Sequence, residues 1–131
     1  MSVPRRPRWL ALLTLMTGIS VFVWLSLEEN GLWSVLSMGA ACALLGALHV
    51  HYAHNLWSRL GHSLRFALIG GALGSGTILA ATCLMFLKTA AHAHLVPDYS
   101  LEQMLSLLAR LPTWTAAGIL LGAALNLSRS R

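Results

Sequence analysis

The chain has 131 residues, of which 56% are hydrophobic and only 10% are charged. Because soluble domains contain about 25% charged residues, this composition excludes a soluble globular domain or a disordered tail. Nine Lys and Arg residues against four Asp and Glu residues give a net charge of +5, which in a soluble chain would suggest nucleic-acid binding. Here the charges lie between long apolar segments, so we predict one small membrane domain over residues 1–131 and no nucleic-acid partner.

Four apolar segments are long enough to cross a membrane as helices. The hydrocarbon core of a bilayer requires about 20 apolar helical residues. The last segment follows Pro112, which is tolerated in the first turn of a helix because its missing N–H group has no partner there. We therefore predict an all-α integral membrane protein with four transmembrane helices, at about residues 9–27, 32–50, 66–87 and 113–127.

The first span is expected to be a retained anchor rather than a cleaved signal peptide. The apolar run of residues 9–27 is longer than the ~7–15 residues of a signal-peptide core. No cleavage motif of the Ala-x-Ala kind follows before Glu28. The first helix therefore counts among the four spans.

Charge is distributed unequally between the two sides of the predicted membrane. The side shared by the two termini and the second connection carries seven of the nine basic residues: Arg5, Arg6, Arg8, Arg59, Arg65, Arg129 and Arg131. The other side carries the remaining basic residues and every acid: Lys88, Arg110, Glu28, Glu29, Asp98 and Glu102. The positive-inside rule then places both termini in the cytoplasm. The Arg-rich cytoplasmic flanks and an uncleaved first span fit a bacterial inner membrane, which is the predicted location.

Residues 51–65, between the second and third spans, are predicted to form a short interfacial amphipathic helix. At about 100° per residue, their apolar and polar side chains separate onto opposite faces, as in helices that lie in the membrane surface. Trp57 would then lie at headgroup level, with Arg59 and Arg65 facing anionic lipid. These three residues are the predicted membrane-interface residues.

A second short interfacial helix is predicted at about residues 100–111. Ser100 and Gln103 have the spacing of a capping box at its start. Pro112 ends it, because proline disfavours helical geometry in the residue before it. Leucine and methionine cover more of its surface than an exposed loop tolerates, so it is expected on the membrane or against the other helices.

Rows of small residues predict where the membrane helices pack. In lipid, helices associate through close backbone approach and polar contacts rather than through the hydrophobic effect. Such rows fit either packing within one four-helix bundle or association with other subunits, including a second copy. The predicted packing residues are Gly39, Gly46, Gly70, Gly74, Gly118, Gly122 and Asn126.

Six histidines are many for a chain with so few polar side chains. The metal-site candidates are His49, His51 and His54 at the end of the second span, and His92 and His94 on the opposite side. No thiolate or carboxylate lies beside the first group in sequence, and two imidazoles alone make an incomplete metal site. The favoured interpretation is interfacial histidines with no metal and no cofactor, with metal, haem or proton binding as alternatives.

His49 is the only ionisable residue within a predicted span, which makes it a functional candidate. No Asp, Glu, Lys or Arg lies in the middle of a span, and this argues against a conventional pump. No Ser–His or Cys–His pair at helical spacing and no paired carboxylates lie within the spans, so we expect no enzyme and no catalytic residues.

These observations favour a non-catalytic multi-pass membrane protein that acts through contacts, as an accessory subunit or assembly factor of a larger membrane complex. Its expected partners are the lipid bilayer and other membrane subunits or a second copy. The alternative is a small oligomeric channel or transporter that conducts along Gly, Thr and Asn faces. A second alternative is a metal- or haem-binding membrane subunit.

Overall fold

The computed structural model describes residues 7–53, 61–92 and 97–129. Within these ranges the regular structure is entirely α-helical, as predicted. The described residues form five helices in chain order: α1 (Arg8–Ser26), α2 (Leu32–Ala53), α3 (His62–His92), α4 (Leu101–Leu108) and α5 (Leu111–Arg129).

Four helical stretches of the described chain are long and apolar enough to cross a membrane. They cover Arg8–Ser26, Leu32–Tyr52, Leu64–His92 and Leu101–Ser128. This confirms the predicted number of spanning helices. The fourth stretch begins at Leu101 rather than at 113, because it includes α4, and the third is longer than the expected 66–87. It continues because Lys88 to His92 contain no glycine or proline that would end a helix.

The connection predicted as an amphipathic helix at 51–65 is only partly described. Its first three residues belong to α2, and its last four, from His62, belong to the start of α3. Arg65 is half-buried there, and its main-chain N–H group donates to the carbonyl of Gly61 at 3.0 Å. Trp57 and Arg59 lie outside the described residues, so their predicted interfacial position stays a prediction.

Helix α4 begins with the predicted capping box and ends earlier than expected. The Ser100 hydroxyl accepts a hydrogen bond from the Gln103 main chain at 3.2 Å, and the Gln103 side-chain oxygen accepts one from the Ser100 main chain at 2.8 Å. The helix stops at Leu108 rather than at 111. A turn follows, and Pro112 then lies in the first turn of α5, where its missing N–H group costs no helical bond.

The long helices contact one another in the order α1–α2–α3–α5. The central α3 packs along both α2 and α5, whereas α1 approaches α2 at far fewer positions, and α4 lies against α3. Most of the buried side chains lie at the end that contains the α1–α2 connection, the C-terminus of α3 and α4, here called the acidic end. They are Trp24, Val35, Leu36, Ile78, Ala81, Leu84, Met85, Tyr99, Met104 and Leu107.

The crossing of α3 and α5 is made by glycines in direct backbone contact. A Cβ atom on Gly70 would overlap the carbonyl group of Gly118, and a Cβ atom on Gly118 would overlap that of Gly70. Gly74 meets the carbonyl of Trp114 in the same way, and Gly122 meets that of Phe66. Any side chain at these four glycines would force the two helices apart.

The α2–α3 crossing depends on Gly39. A Cβ atom there would lie 2.6 Å from the carbonyl oxygen of Thr77 and 2.8 Å from the main-chain nitrogen of Ala81. Gly46, predicted from the same stripe, differs: no atom of the described residues lies within 4 Å of its Cβ position. Asn126 is half-buried near the end of α5 and has an interaction partner.

Candidate functional site

A buried lysine lies at the centre of the acidic end. Lys88 is fully buried on α3, on the same face as Ile78, Ala81 and Met85. Its Nζ atom donates hydrogen bonds to the carbonyl oxygens of Trp24, at 3.3 Å, and Glu29. A lysine is almost never fully buried without compensating partners, and here main-chain carbonyls from a second segment supply them.

The same ammonium group also contacts an aromatic ring and a helix end. Nζ lies 4.3 Å from the centre of the Trp24 ring, within the range of a cation–π interaction. Trp24 lies in the last turn of α1, which has no basic residue of its own there. A positive charge at a helix C-terminus is favourable because of the helix dipole. Lys88 therefore joins α3 to the end of α1 and to the α1–α2 connection.

Sequence reasoning missed this lysine because it assigned Lys88 to the connection after the third span. Placed on a continued helix, Lys88 follows Ile78, Ala81 and Met85 at intervals of three, four and three residues, the spacing of one helix face. The helical spacing that continues from Ile78 to Lys88 is therefore the sequence signal that could have identified this lysine. His49 is therefore not the only ionisable residue in the spanning helices, since Lys88 lies within the third.

Tyr99 packs beside this group from the segment before α4. Its side chain is 2% exposed, and its hydroxyl has no hydrogen-bond partner among the described residues. Its main chain is held by Thr89, whose hydroxyl accepts from the Tyr99 N–H group at 3.2 Å. Burial, followed by the nearby carboxylates of Glu29 and Asp98, raises the pKa of Tyr99 to about 12.

This raised pKa predicts a loss of stability at alkaline pH. The folded pKa of about 12 lies above the ordinary value of 10.0, so the fold favours the neutral hydroxyl. The resulting stabilisation is fully present below pH 10 and is lost as the pH rises to 12. We expect the unfolding midpoint to fall more steeply over this window in the parent protein than in Tyr99→Phe. Tyr52→Phe is the control and should follow the parent; equal slopes in parent and Tyr99→Phe would contradict the prediction.

An imidazole–carboxylate pair ties the C-terminus of α3 to the segment before α4. His92 Nδ1 contacts the Asp98 carboxylate. Both side chains are about one-fifth exposed. Together with the Thr89–Tyr99 hydrogen bonds, this pair fixes where the chain returns towards α4.

A small cavity with a mixed polar and apolar lining lies next to Tyr99. Its volume is about 110 Å³. It lies where the start of α2, the C-terminal half of α3, and α4 meet. Its polar lining comes from Asn30, Tyr99, Gln103, Ser106 and Arg110, and Leu32, Met85 and Leu107 complete the wall.

A much larger groove of about 640 Å³ follows the α3–α5 crossing. It is almost entirely apolar and is lined by α3 between Phe66 and Thr77 and by α5 between Thr113 and Leu125. Gly70, Gly74, Gly118 and Gly122 are among its lining residues. Their Cβ positions are occupied by backbone of the facing helix, so these glycines close the crossing, and the groove beside it presents mainly apolar side chains.

The opposite end of the molecule contains His49. Its Nδ1 atom lies 3.0 Å from the Leu45 carbonyl oxygen, and its Nε2 atom lies 3.5 Å from the Thr14 hydroxyl. His49 and Thr14 line an open depression together with Arg8. This histidine therefore links α1 to α2 at the end where the Trp9 and Tyr52 rings also meet edge-on, with centres 5.7 Å apart.

The histidines proposed as metal-site candidates are not brought together in the described part of the chain. His51 is exposed and stacks edge-on against Tyr52, with ring centres 5.2 Å apart. His92 lies at the other end and pairs with Asp98. Among residues 7–53, 61–92 and 97–129, no group of three His, Cys, Asp or Glu side chains is arranged to hold a metal. His54 and His94 lie outside the described residues.

Comparison with known proteins adds no relative: no family model, curated protein or solved structure matches this chain.

Proposed function

We propose that this protein is a non-catalytic multi-pass membrane protein that acts as an accessory subunit or assembly factor of a larger membrane complex. The observation that carries the proposal is the apolar groove along α3 and α5. We propose that it receives one transmembrane helix of a partner protein. Phe66 to Thr77 of α3 covers about 17 Å at 1.5 Å per residue, enough for three turns of a partner helix.

The chemistry of the groove favours a helix as its occupant. Transmembrane helices associate where small residues let their backbones approach closely. The groove runs beside a crossing of small residues, and its lining offers almost no polar group. A smooth apolar surface of this kind suits an apolar helix and gives no specific contact to a polar solute.

The arrangement of the four long helices in a row also supports a function in binding other membrane proteins. Only Leu10 and Trp24 are buried in the 19 residues of α1, so this helix has little contact within the described chain. Large apolar side chains of α1 are exposed, among them Leu12, Leu15, Met16, Ile19 and Phe22. Both edges of the row, α1 and α5, are therefore free to face lipid or another subunit.

We further propose a bacterial inner-membrane location with both termini in the cytoplasm. Arg8 and Arg65 then lie on the cytoplasmic side, and the acidic end faces outward. Helix α4 would lie at the outer membrane surface. Its Met104 and Leu107 are buried in the core while Leu101 and Leu105 are exposed, so it presents apolar side chains in both directions.

Site-specific photo-crosslinking tests the groove as a partner-helix site. Leu121 lines the groove, and the adjacent Leu120 does not, although the two are 66% and 70% exposed. A photoreactive amino acid at position 121 is expected to give a protein adduct of discrete mass in cells. The same residue at position 120 is the matched control and is expected to give several-fold less.

Two further variants distinguish a partner bound in the groove from nonspecific crosslinking to neighbouring membrane proteins. Leu121→Trp fills the groove and should abolish an adduct formed from a photoreactive residue at Leu125, whereas Leu120→Trp should leave that adduct intact. Two differently tagged copies of the chain show whether the adduct is a second copy. Equal protein adducts at positions 120 and 121, or none at either, would refute the proposal.

A further inference from the structure

One edge of the helix row carries a stripe of large apolar side chains on α1. At about 100° per residue, the stripe lies opposite Leu10 and Trp24, the two buried side chains of this helix. Its six members have the three- and four-residue spacing of one helix face and are 50–71% exposed: Leu12, Leu15, Met16, Ile19, Phe22 and Val23. This set, here called the α1 stripe, therefore points away from α2 and towards whatever lies beside the row.

The α3–α5 groove lies at the opposite edge of the row. No described residue of α1 lines it, because α2 and α3 lie between α1 and α5. A second copy beside the row can place its own α1 stripe there. Such head-to-tail contact leaves a free groove at one end and a free α1 stripe at the other, so it repeats until a ring closes or an open chain forms.

The α2–α3 crossing fixes the relative depth of these helices. The Cβ position of Gly39 meets the main chain of Ala81, and that of Gly76 lies 3.2 Å from the Ala43 side chain. A step towards the C-terminus of α2 is therefore a step towards the N-terminus of α3, and the two helices are antiparallel. Residues of α2 after Ala43 lie level with residues of α3 before Gly76.

This register places the α1 stripe at the depth of the groove. His49 is six residues after Ala43, so it lies level with the part of α3 around Gly70, six residues before Gly76. Thr14 of α1, whose hydroxyl lies 3.5 Å from His49 Nε2, shares this level. Copies of one chain insert in one orientation. The stripe residues on either side of Thr14 in a second copy therefore reach the depth of Gly70, which lines the groove.

Charge at the acidic end is complementary between the two edges of the row. Glu28 is exposed two residues beyond α1, and Arg110 is exposed one turn before Trp114, which lines the groove. Neither side chain forms an ion pair within residues 7–53, 61–92 and 97–129. With α1 of a second copy in the groove, its Glu28 carboxylate comes to the same end as Arg110. A charge pair at the rim of a contact contributes specificity more than affinity.

The α1 stripe is large enough for a stable contact. Because a large side chain buries roughly 150–250 Å², six side chains that are 50–71% exposed offer on the order of 600 Å². A standard-size interface buries about 800 Å² per partner, so the stripe supplies most of one side.

We propose that the helix received by the groove is α1 of a second copy, which packs its stripe against α3 and α5. This inference rests on the proposed function of the groove as a site for a partner helix, and it names the partner. The chain then assembles head to tail in the membrane. Glu28 of each copy pairs with Arg110 of the next at the acidic end.

The test photo-crosslinks two differently tagged copies in cells. A photoreactive amino acid at Leu121 of one copy is expected to form an adduct with the other copy, and mass spectrometry should locate it between Leu12 and Ile19. Leu15→Ala in the other copy should reduce this adduct several-fold, because it removes a side chain that fills the groove. Leu13→Ala is the matched control on a different face of α1 and should leave the adduct unchanged.

The outcomes separate this inference from the proposed function. An adduct with a different protein, or with a part of the second copy outside α1, overturns the inference but leaves the groove as a partner-helix site. So does an adduct that Leu15→Ala leaves unchanged. No adduct at position 121 overturns both.

A charge exchange between copies tests the pairing of Glu28 with Arg110. Glu28→Arg in the copy that supplies α1, or Arg110→Glu in the copy that supplies the groove, should lower the adduct several-fold, because each places like charges together. Glu28→Arg in one copy combined with Arg110→Glu in the other should restore it. Both residues are exposed, so the fold is expected to tolerate these changes. No loss with the single changes, or no recovery with the combination, contradicts the proposal.

Discussion

Gly118→Ala is expected to destabilise the protein by about 2 kcal/mol or more. The new Cβ atom would overlap the carbonyl group of Gly70. Because the obstacle is backbone rather than a flexible side chain, α3 and α5 must separate along their length. The same change at Gly70 meets the Gly118 carbonyl and should cost a similar amount.

Gly46→Ala is the matched control for this prediction. It makes the same substitution inside a spanning helix, but no described atom lies within 4 Å of the new Cβ atom. Alanine also has the higher helix propensity, so the control is expected to be neutral or slightly stabilising. The free energy of unfolding is measured by SDS titration in mixed micelles.

The double variant Gly70→Ala, Gly118→Ala sharpens the interpretation. Both methyl groups push on the same helix pair, so the combined loss of stability should be smaller than the sum of the single losses. Additive losses, or a Gly118→Ala variant as stable as Gly46→Ala, would show that the two helices are not held by this backbone contact.

The comparison of these glycines shows what the sequence could and could not predict. Spacing of four residues marked Gly70 with Gly74 and Gly118 with Gly122 as stripes, because period alone determines which residues share a helix face, and both stripes lie at the α3–α5 crossing. It also marked Gly46, which faces open space in the described structure. Which stripe meets a neighbour depends on the relative position of whole helices, and a single sequence does not encode that in local spacing.

Charge and capping patterns were predictable to different degrees. The capping box at Ser100 and Gln103 is local, since both partners lie within four residues, and it forms as expected. The binding of Lys88 depends on Trp24 and Glu29, which are 64 and 59 residues away in the chain. The cavity beside Tyr99 is also non-local, because its lining comes from α2, α3 and α4.

Lys88→Met is expected to destabilise the protein by about 2 kcal/mol, because it removes two charge-assisted hydrogen bonds and a cation–π contact while it keeps the side-chain length. The Glu29 carbonyl loses its donor. Replacing a buried charge by an apolar side chain can be neutral when desolvation of the charge outweighs its contacts. Here two carbonyls and an aromatic face replace the lost water, so we expect the contacts to dominate.

Leu87→Met is the matched control, since it places the same side chain one residue earlier on the exposed face of α3. It should change the free energy of unfolding by less than about 0.5 kcal/mol. Lys88→Arg keeps the charge and should recover part of the loss.

Hydrogen exchange adds a local test: in Lys88→Met, amides of the segment from Trp24 to Gly31 should exchange faster, while those around the Gly70–Gly118 crossing should not change. A Lys88→Met variant as stable as Leu87→Met would mean that the lysine does not hold α1 to α3, and unchanged exchange at the end of α1 would lead to the same conclusion.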